Sequence, residues 1–200
     1  FISTLFSSYL INQLAIFYFL IYAFLTFLYT FKAKYIFLVD TLFVSLMFII
    51  RVLLGGLIAE VNLTLYFLLS IFFMSCILST SKKISILHTE DMGIGNNFYQ
   101  LLKKQNQSNG FKTLYIIFSI FSIGSLVFWF LNLSKNNISI FRQSLLVVSL
   151  VGFTIFLNYI FKFSISGDLE DFSSEIFKNK ILLILSSITV LTFCLGYFLI

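Results

Sequence analysis

Arg51 stands in an unbroken apolar run, with Leu46 to Ile50 before it and Val52 to Leu54 after it. A guanidinium near a bilayer centre costs on the order of 2.5–3.5 kcal/mol on insertion scales. A residue of this kind either faces a bundle interior or wet cavity that uses its charge, or snorkels and pairs with a carboxylate on another helix for structure alone. Asp40 lies eleven residues earlier. At about 100° and 1.5 Å per residue, the two share one helix face about 16 Å apart, too far for direct pairing. Gly55 and Gly56 follow one turn later and permit close helix approach. Tyr29, Lys32, Lys34 and Asp40 gather where one helix hands over to the next. The lysines there either bind phosphate as point charges or anchor span ends beside an interfacial Tyr.

Lys82 and Lys83 close a later apolar run, which taken alone is an anchoring pattern. His88, Glu90 and Asp91 fall in one short stretch, a pattern far weaker than a Cys/His metal signature. Gly93-Ile94-Gly95 has neither the preceding strand nor the following Lys-Ser/Thr of a phosphate loop and reads as a turn. Gly167-Asp168-Leu169-Glu170-Asp171 is a compact acidic patch. It is either a solvated loop or a set of oxygen ligands for Mg²⁺ with phosphate as co-ligand. Cys76 and Cys194 sit in apolar runs as small hydrophobes. Trp129 reads as an interfacial anchor.

The elements that must position these residues follow from composition. The chain has 200 residues, 60% of them hydrophobic and only 10% charged, with mean hydropathy +1.03. Soluble domains carry about 25% charged residues, so that class is excluded. Disorder requires low hydrophobicity, and two cysteines make no disulfide framework. The apolar runs are too long for the alternation of a membrane β-barrel. The expected fold is all-α, a polytopic transmembrane helix bundle. Spans are expected at 14–31, 36–59, 63–80, 113–131, 144–161 and 181–200, with residues 1–12 as the end of an earlier helix. The chain begins at Phe1 inside an apolar run, and the expectation is one transmembrane domain over 1–200 that lacks its N-terminal part.

Lys and Arg decide orientation. The loops at 32–35, 81–112 and 162–180 hold ten of these residues, and the opposite loops hold Lys135 and Arg142 alone. The basic loops, including the long one at 81–112, are therefore expected to be cytoplasmic in a cytoplasmic (inner) membrane, with Ile200 outside. The net charge of +5 does not indicate nucleic acid, because it sits at span ends, where anionic headgroups account for it. A phosphorylated substrate at the membrane surface is an alternative target of the same charge.

The ordered set Tyr29-Thr30, Lys34, Asp40, Arg51 and Gly55, then a span closing on Lys82-Lys83, resembles the UbiA superfamily of intramembrane prenyltransferases. The similarity is to the decaprenyl-phosphate phosphoribosyltransferase branch. Tyr159, Gly167-Asp168 and Asn179-Lys180 fall where that branch has an Arg-Tyr pair, a Gly-rich acidic loop and an Asp-Arg pair. The resemblance implies six to seven spans of a larger bundle of about nine helices. It implies a transferase that joins a polyprenyl phosphate or diphosphate to a phosphoribosyl donor or small acceptor. In that setting Asp40, Arg51 and Lys82 would be catalytic, and Tyr29, Lys34, Lys83 and Tyr159 would bind substrate. Mg²⁺ would be the cofactor, with Asp168 as a ligand, although the family's Asn-Asp-x-x-Asp motif does not occur in this chain. The implied partners are the polyprenyl lipid substrate and membrane lipids. Ile86 stands where the family has Glu, and Asn158 where it has Arg. These departures favour the alternative of a catalytically inactive, lipid-binding membrane protein that retains the fold.

Overall fold

A computed structural model describes residues 13–31, 37–89, 108–134, 139–167 and 179–198. These residues form six helices: α1 (Gln13–Phe31), α2 (Phe37–Ile58), α3 (Leu65–Thr89), α4 (Ser108–Ser134), α5 (Ile140–Ile165) and α6 (Lys180–Phe198). Five of them, α1 to α5, are long and apolar enough to cross a membrane, and α6 carries a shorter apolar stretch, Lys180–Gly196. Among the described residues the protein is thus an all-helical apolar bundle of membrane type.

Small hydroxyl side chains share the interior with large apolar ones. Ser45, Ser70, Thr80, Ser81, Ser85, Ser122, Ser125 and Ser164 are buried, while Phe17, Phe24, Phe27, Ile120, Phe128 and Leu191 are exposed. In lipid there is no hydrophobic drive between helices, so small residues take the interfaces and large apolar ones face the acyl chains. The buried hydroxyls are satisfied within the protein. Thr80 donates to the Cys76 carbonyl at 2.9 Å and Ser81 to that of Leu78 at 2.8 Å. Others cross between helices: Ser164 donates to the Ser81 carbonyl at 2.6 Å, and Tyr115 to that of Leu157 at 2.7 Å. A packed cluster of Ile77, Ile84, Phe111, Tyr115, Phe156, Leu157, Ile160 and Leu182 joins α3, α4, α5 and α6. It fills the half of the bundle nearest the basic loops.

The helix bounds correct one expectation. The helix expected over 63–80 continues to Thr89, and α4 begins at Ser108, so the long connection is shorter than 81–112. Lys82 and Lys83 do not end the helix. Lys83 is held by side chains of α2, Ser85 is fully buried, and the helix carries both into the bundle. Residues 1–12, Lys32, Lys34, Glu90, Asp91, Gly93, Gly95 and Asp168 to Asp171, on which further expectations rest, lie outside the described residues.

Helix α2 ends in a Schellman turn. The Glu60 amide donates to the Leu57 carbonyl at 3.4 Å and the Val61 amide to the Gly56 carbonyl at 2.9 Å. Leu63 then folds back so closely that a Cβ on Gly56 would lie 2.6 Å from its Cδ1. Glu60 itself has φ 54°, a left-handed conformation that costs an L-residue about 1–2 kcal/mol. Glycine loses about 0.5–1 kcal/mol more chain entropy on ordering. Glu60→Gly is therefore expected to stabilise the bundle by up to about 1 kcal/mol, read as a higher unfolding midpoint in micelles; a lowered midpoint would contradict this account of the turn.

Candidate functional site

The end of the bundle nearest the basic loops gathers most of the predicted residues. Asp40 lies in the first turn of α2, and Lys82 and Lys83 lie two turns before the end of α3. Tyr29 closes α1, and Tyr159 lies in the last two turns of α5. Lys34 and Asp168 lie outside the described residues.

Asp40 and Lys83 meet. The Lys83 ammonium lies 2.6 Å from Asp40 Oδ2 and donates to the Thr41 hydroxyl at 2.8 Å. It also sits 5.7 Å from the centre of the Phe111 ring. Both residues are only 8% exposed, so each charge depends on the other for compensation. The carboxylate is incompletely used: Asp40 Oδ1 is buried with no hydrogen-bond partner. Below the pair, Thr41, Ser45, Cys76 and Thr80 continue a buried polar seam between α2 and α3. Ser45 donates to its own helix at the Thr41 carbonyl, 2.9 Å away, and its hydroxyl lies 3.0 Å from Cys76 Sγ. Lys82, the next residue round α3, is exposed. Tyr159 is half-buried and stacks on Phe163 at 6.5 Å. The arrangement offers an exposed cation, Lys82, beside a buried and mutually compensated ion pair, which suits an anionic ligand at this end of the bundle.

Arg51 does not join this group. Eleven residues separate it from Asp40, about three turns and 16 Å along α2. Asp40 is buried against α3, whereas Arg51 is exposed. It donates to the hydroxyl of Tyr22 on α1 and lies 5.0 Å from the centre of that ring and 5.6 Å from that of Phe48. Sharing a face over three turns does not give two residues one environment, because α2 meets different neighbours along its length. Sequence reasoning missed Thr41, Tyr22 and Phe48 as partners. Thr41 adjoins Asp40, but nothing in the local pattern links Arg51 to Tyr22, 29 positions away.

The described residues do not assemble a magnesium site. No group of three His, Cys, Asp or Glu side chains comes together among them, and Asp40 is already engaged by Lys83. The side chain of His88 lies outside what the structure describes.

A search of protein-family models finds no match to this chain, and no curated protein matches it.

Proposed function

We propose that the protein is a membrane-embedded transferase that acts on a polyprenyl phosphate or polyprenyl diphosphate, by phosphoribosyl or prenyl transfer. The observation that carries this reading is the buried Lys83–Asp40 pair at the basic end of an apolar bundle, with exposed Lys82 beside it. A lipid phosphate suits such a place. Its charge meets ammonium groups, and its tail has the exposed stripe of Leu38, Leu42 and Leu46 along α2, spaced one turn apart. In the reaction, a lipid phosphate oxygen displaces diphosphate from the anomeric carbon of the donor. The C–O bond to the lipid forms as the C–O bond to diphosphate breaks. Lys82 neutralises charge on the phosphate groups, and the buried Lys83–Asp40 pair ties α3 to α2 and so fixes where Lys82 stands. Magnesium, with Asp168 as its ligand, enters this reading through the acidic patch at 167–171 and the resemblance.

The test is transfer of label from phosphoribosyl diphosphate to extractable lipid, with the full-length protein in vesicles that contain polyprenyl phosphate and Mg²⁺. Lipid-borne label is expected. Lys82→Ala should slow its appearance about tenfold, or about 1.4 kcal/mol of transition-state stabilisation. A second reading is favoured by Ile86, half-buried one turn beyond Lys82 where the resemblance calls for Glu. In that case polyprenyl phosphate binds but no label moves. Neither binding nor transfer would overturn both readings.

A further inference from the structure

The half of the bundle away from the basic loops contains a half-open cavity of about 390 Å³. Phe48, Met74, Trp129, Leu150, Phe153 and Phe193 line it, drawn from α2, α3, α4, α5 and α6. On α4 to α6 the lining residues fall outside the segment that enters the packed cluster near Lys83, or at its edge, and on α3 Met74 and Leu78 touch both. Ser70, Ser75, Ser149 and Thr189 also line the cavity. Each hydroxyl is turned onto its own helix, donating at 2.7–2.8 Å to the carbonyls of Phe67, Phe72, Leu146 and Ser186. The walls therefore hold no hydroxyl in need of water, and a cavity of that kind stays dry and accepts hydrocarbon. Its volume lies near the small end of the range of ligand pockets, about 300–1,000 Å³, which suits one chain rather than two.

A cation lies against one of the lining side chains. Phe48 lines the cavity and is 42% exposed, and the Arg51 guanidinium lies 5.6 Å from the centre of its ring. The Tyr22 hydroxyl accepts from one of the guanidinium N–H groups, and Arg has five. The ion pair described in the bundle is the one between Lys83 and Asp40; among the described residues no carboxylate pairs with Arg51. A guanidinium at this depth is costly without a counter-ion, and an anion beside the cavity mouth would supply one.

We propose that this cavity binds a single-chain lipid with an anionic head, its chain among the aromatic walls and its carboxylate or phosphate on Arg51. The site is distinct from the Asp40–Lys83 pair and does not depend on the transferase reading.

The chain carries its own reporter, because Trp129 is its single tryptophan and lines the cavity. Bromine quenches indole fluorescence on contact. The full chain in nanodiscs of zwitterionic lipid is titrated with dibromostearate and with its uncharged methyl ester. Saturable quenching by the acid is expected, with the ester about tenfold weaker, equal to about 1.4 kcal/mol for the ion pair. Arg51→Gln should remove the difference between acid and ester. Ser149→Phe, which fills the cavity, should remove quenching by both. The double variant Asp40→Asn/Lys83→Met should bind as the parent does. Dibromo-lysophosphatidate distinguishes the heads: tighter binding than the carboxylate assigns a phosphate, weaker binding a carboxylate, and both uphold the site. Non-saturable quenching, equal quenching by acid and ester, or loss of binding in the double variant but not in Arg51→Gln would overturn it.

Discussion

Replacement of Lys83 by Met alone is expected to destabilise the bundle by about 3–5 kcal/mol, the cost of leaving one member of a buried ion pair without its partner. Met follows the lysine stem and keeps most of the volume, so the loss reports charge rather than packing. The carboxylate of Asp40 is 2.6 Å from the ammonium and 92% buried by residue, and one of its oxygens already lacks a partner. With Lys83 gone, both oxygens would lie unpaired between apolar helices. The double variant Asp40→Asn/Lys83→Met removes both charges and should recover most of the loss, since buried pairs replaced together cost little. Denaturant titration in micelles of the parent, Lys83→Met, Asp40→Asn and the double variant gives the coupling energy directly. A Lys83→Met protein as stable as its parent would show that the pair does not hold α2 to α3.

The second large effect is expected between α5 and α6. A Cβ on Gly152 would lie 2.6 Å from Cγ2 of Thr189. That methyl has little room to move. β-Branched side chains are stiff in helices, and the Thr189 hydroxyl is fixed on the Ser186 carbonyl at 2.8 Å. Gly152→Val must therefore push the helices apart, at a cost of about 1–3 kcal/mol for overpacking. Thr189→Ala in the same chain removes the opposing methyl and should restore part of the loss. If Gly152→Val is neutral, the close approach of the two helices does not constrain the bundle. The Arg142 side chain, which donates to the Gly196 carbonyl at 3.1 Å across the same pair, gives a second site at which to see separation.

Five of the six expected spans were legible in the sequence, because an uninterrupted apolar run of span length has few alternatives to a membrane helix. Residues 14–31 and 36–59 matched α1 and α2 to within a residue or so. The end of α3 was not legible. Charges at 82 and 83 look like the edge of a membrane, and only a carboxylate 43 positions earlier shows why one of them continues inward. Hydropathy counts each residue alone, whereas burial of Lys83 is a property of the pair. The same limit hid the surroundings of Arg51. Its helical phase relative to Asp40 was readable, but α2 leans on α3 at one level and on α1 at another, and phase carries no information about neighbours. The candidate site was readable as a list of charged positions along the chain. Its division into a buried pair near the basic loops and a separate arginine beside an apolar cavity depends on packing.

The order in which the helices touch has a consequence for how the chain is made. Extensive packing joins α1 to α2, α2 to α3, α3 to α4, α4 to α5 and α5 to α6, and the further large contact, α3 with α5, skips a single helix. Each helix after the first thus finds a packing partner already in the bilayer when it enters, and α2, α3 and α5 gain their most extensive partner with the helix that follows directly. Contacts so local in sequence need little loop closure before they form. The ribosome's schedule and the bundle's architecture coincide, and among the described helices none has to wait for a distant one before it can dock.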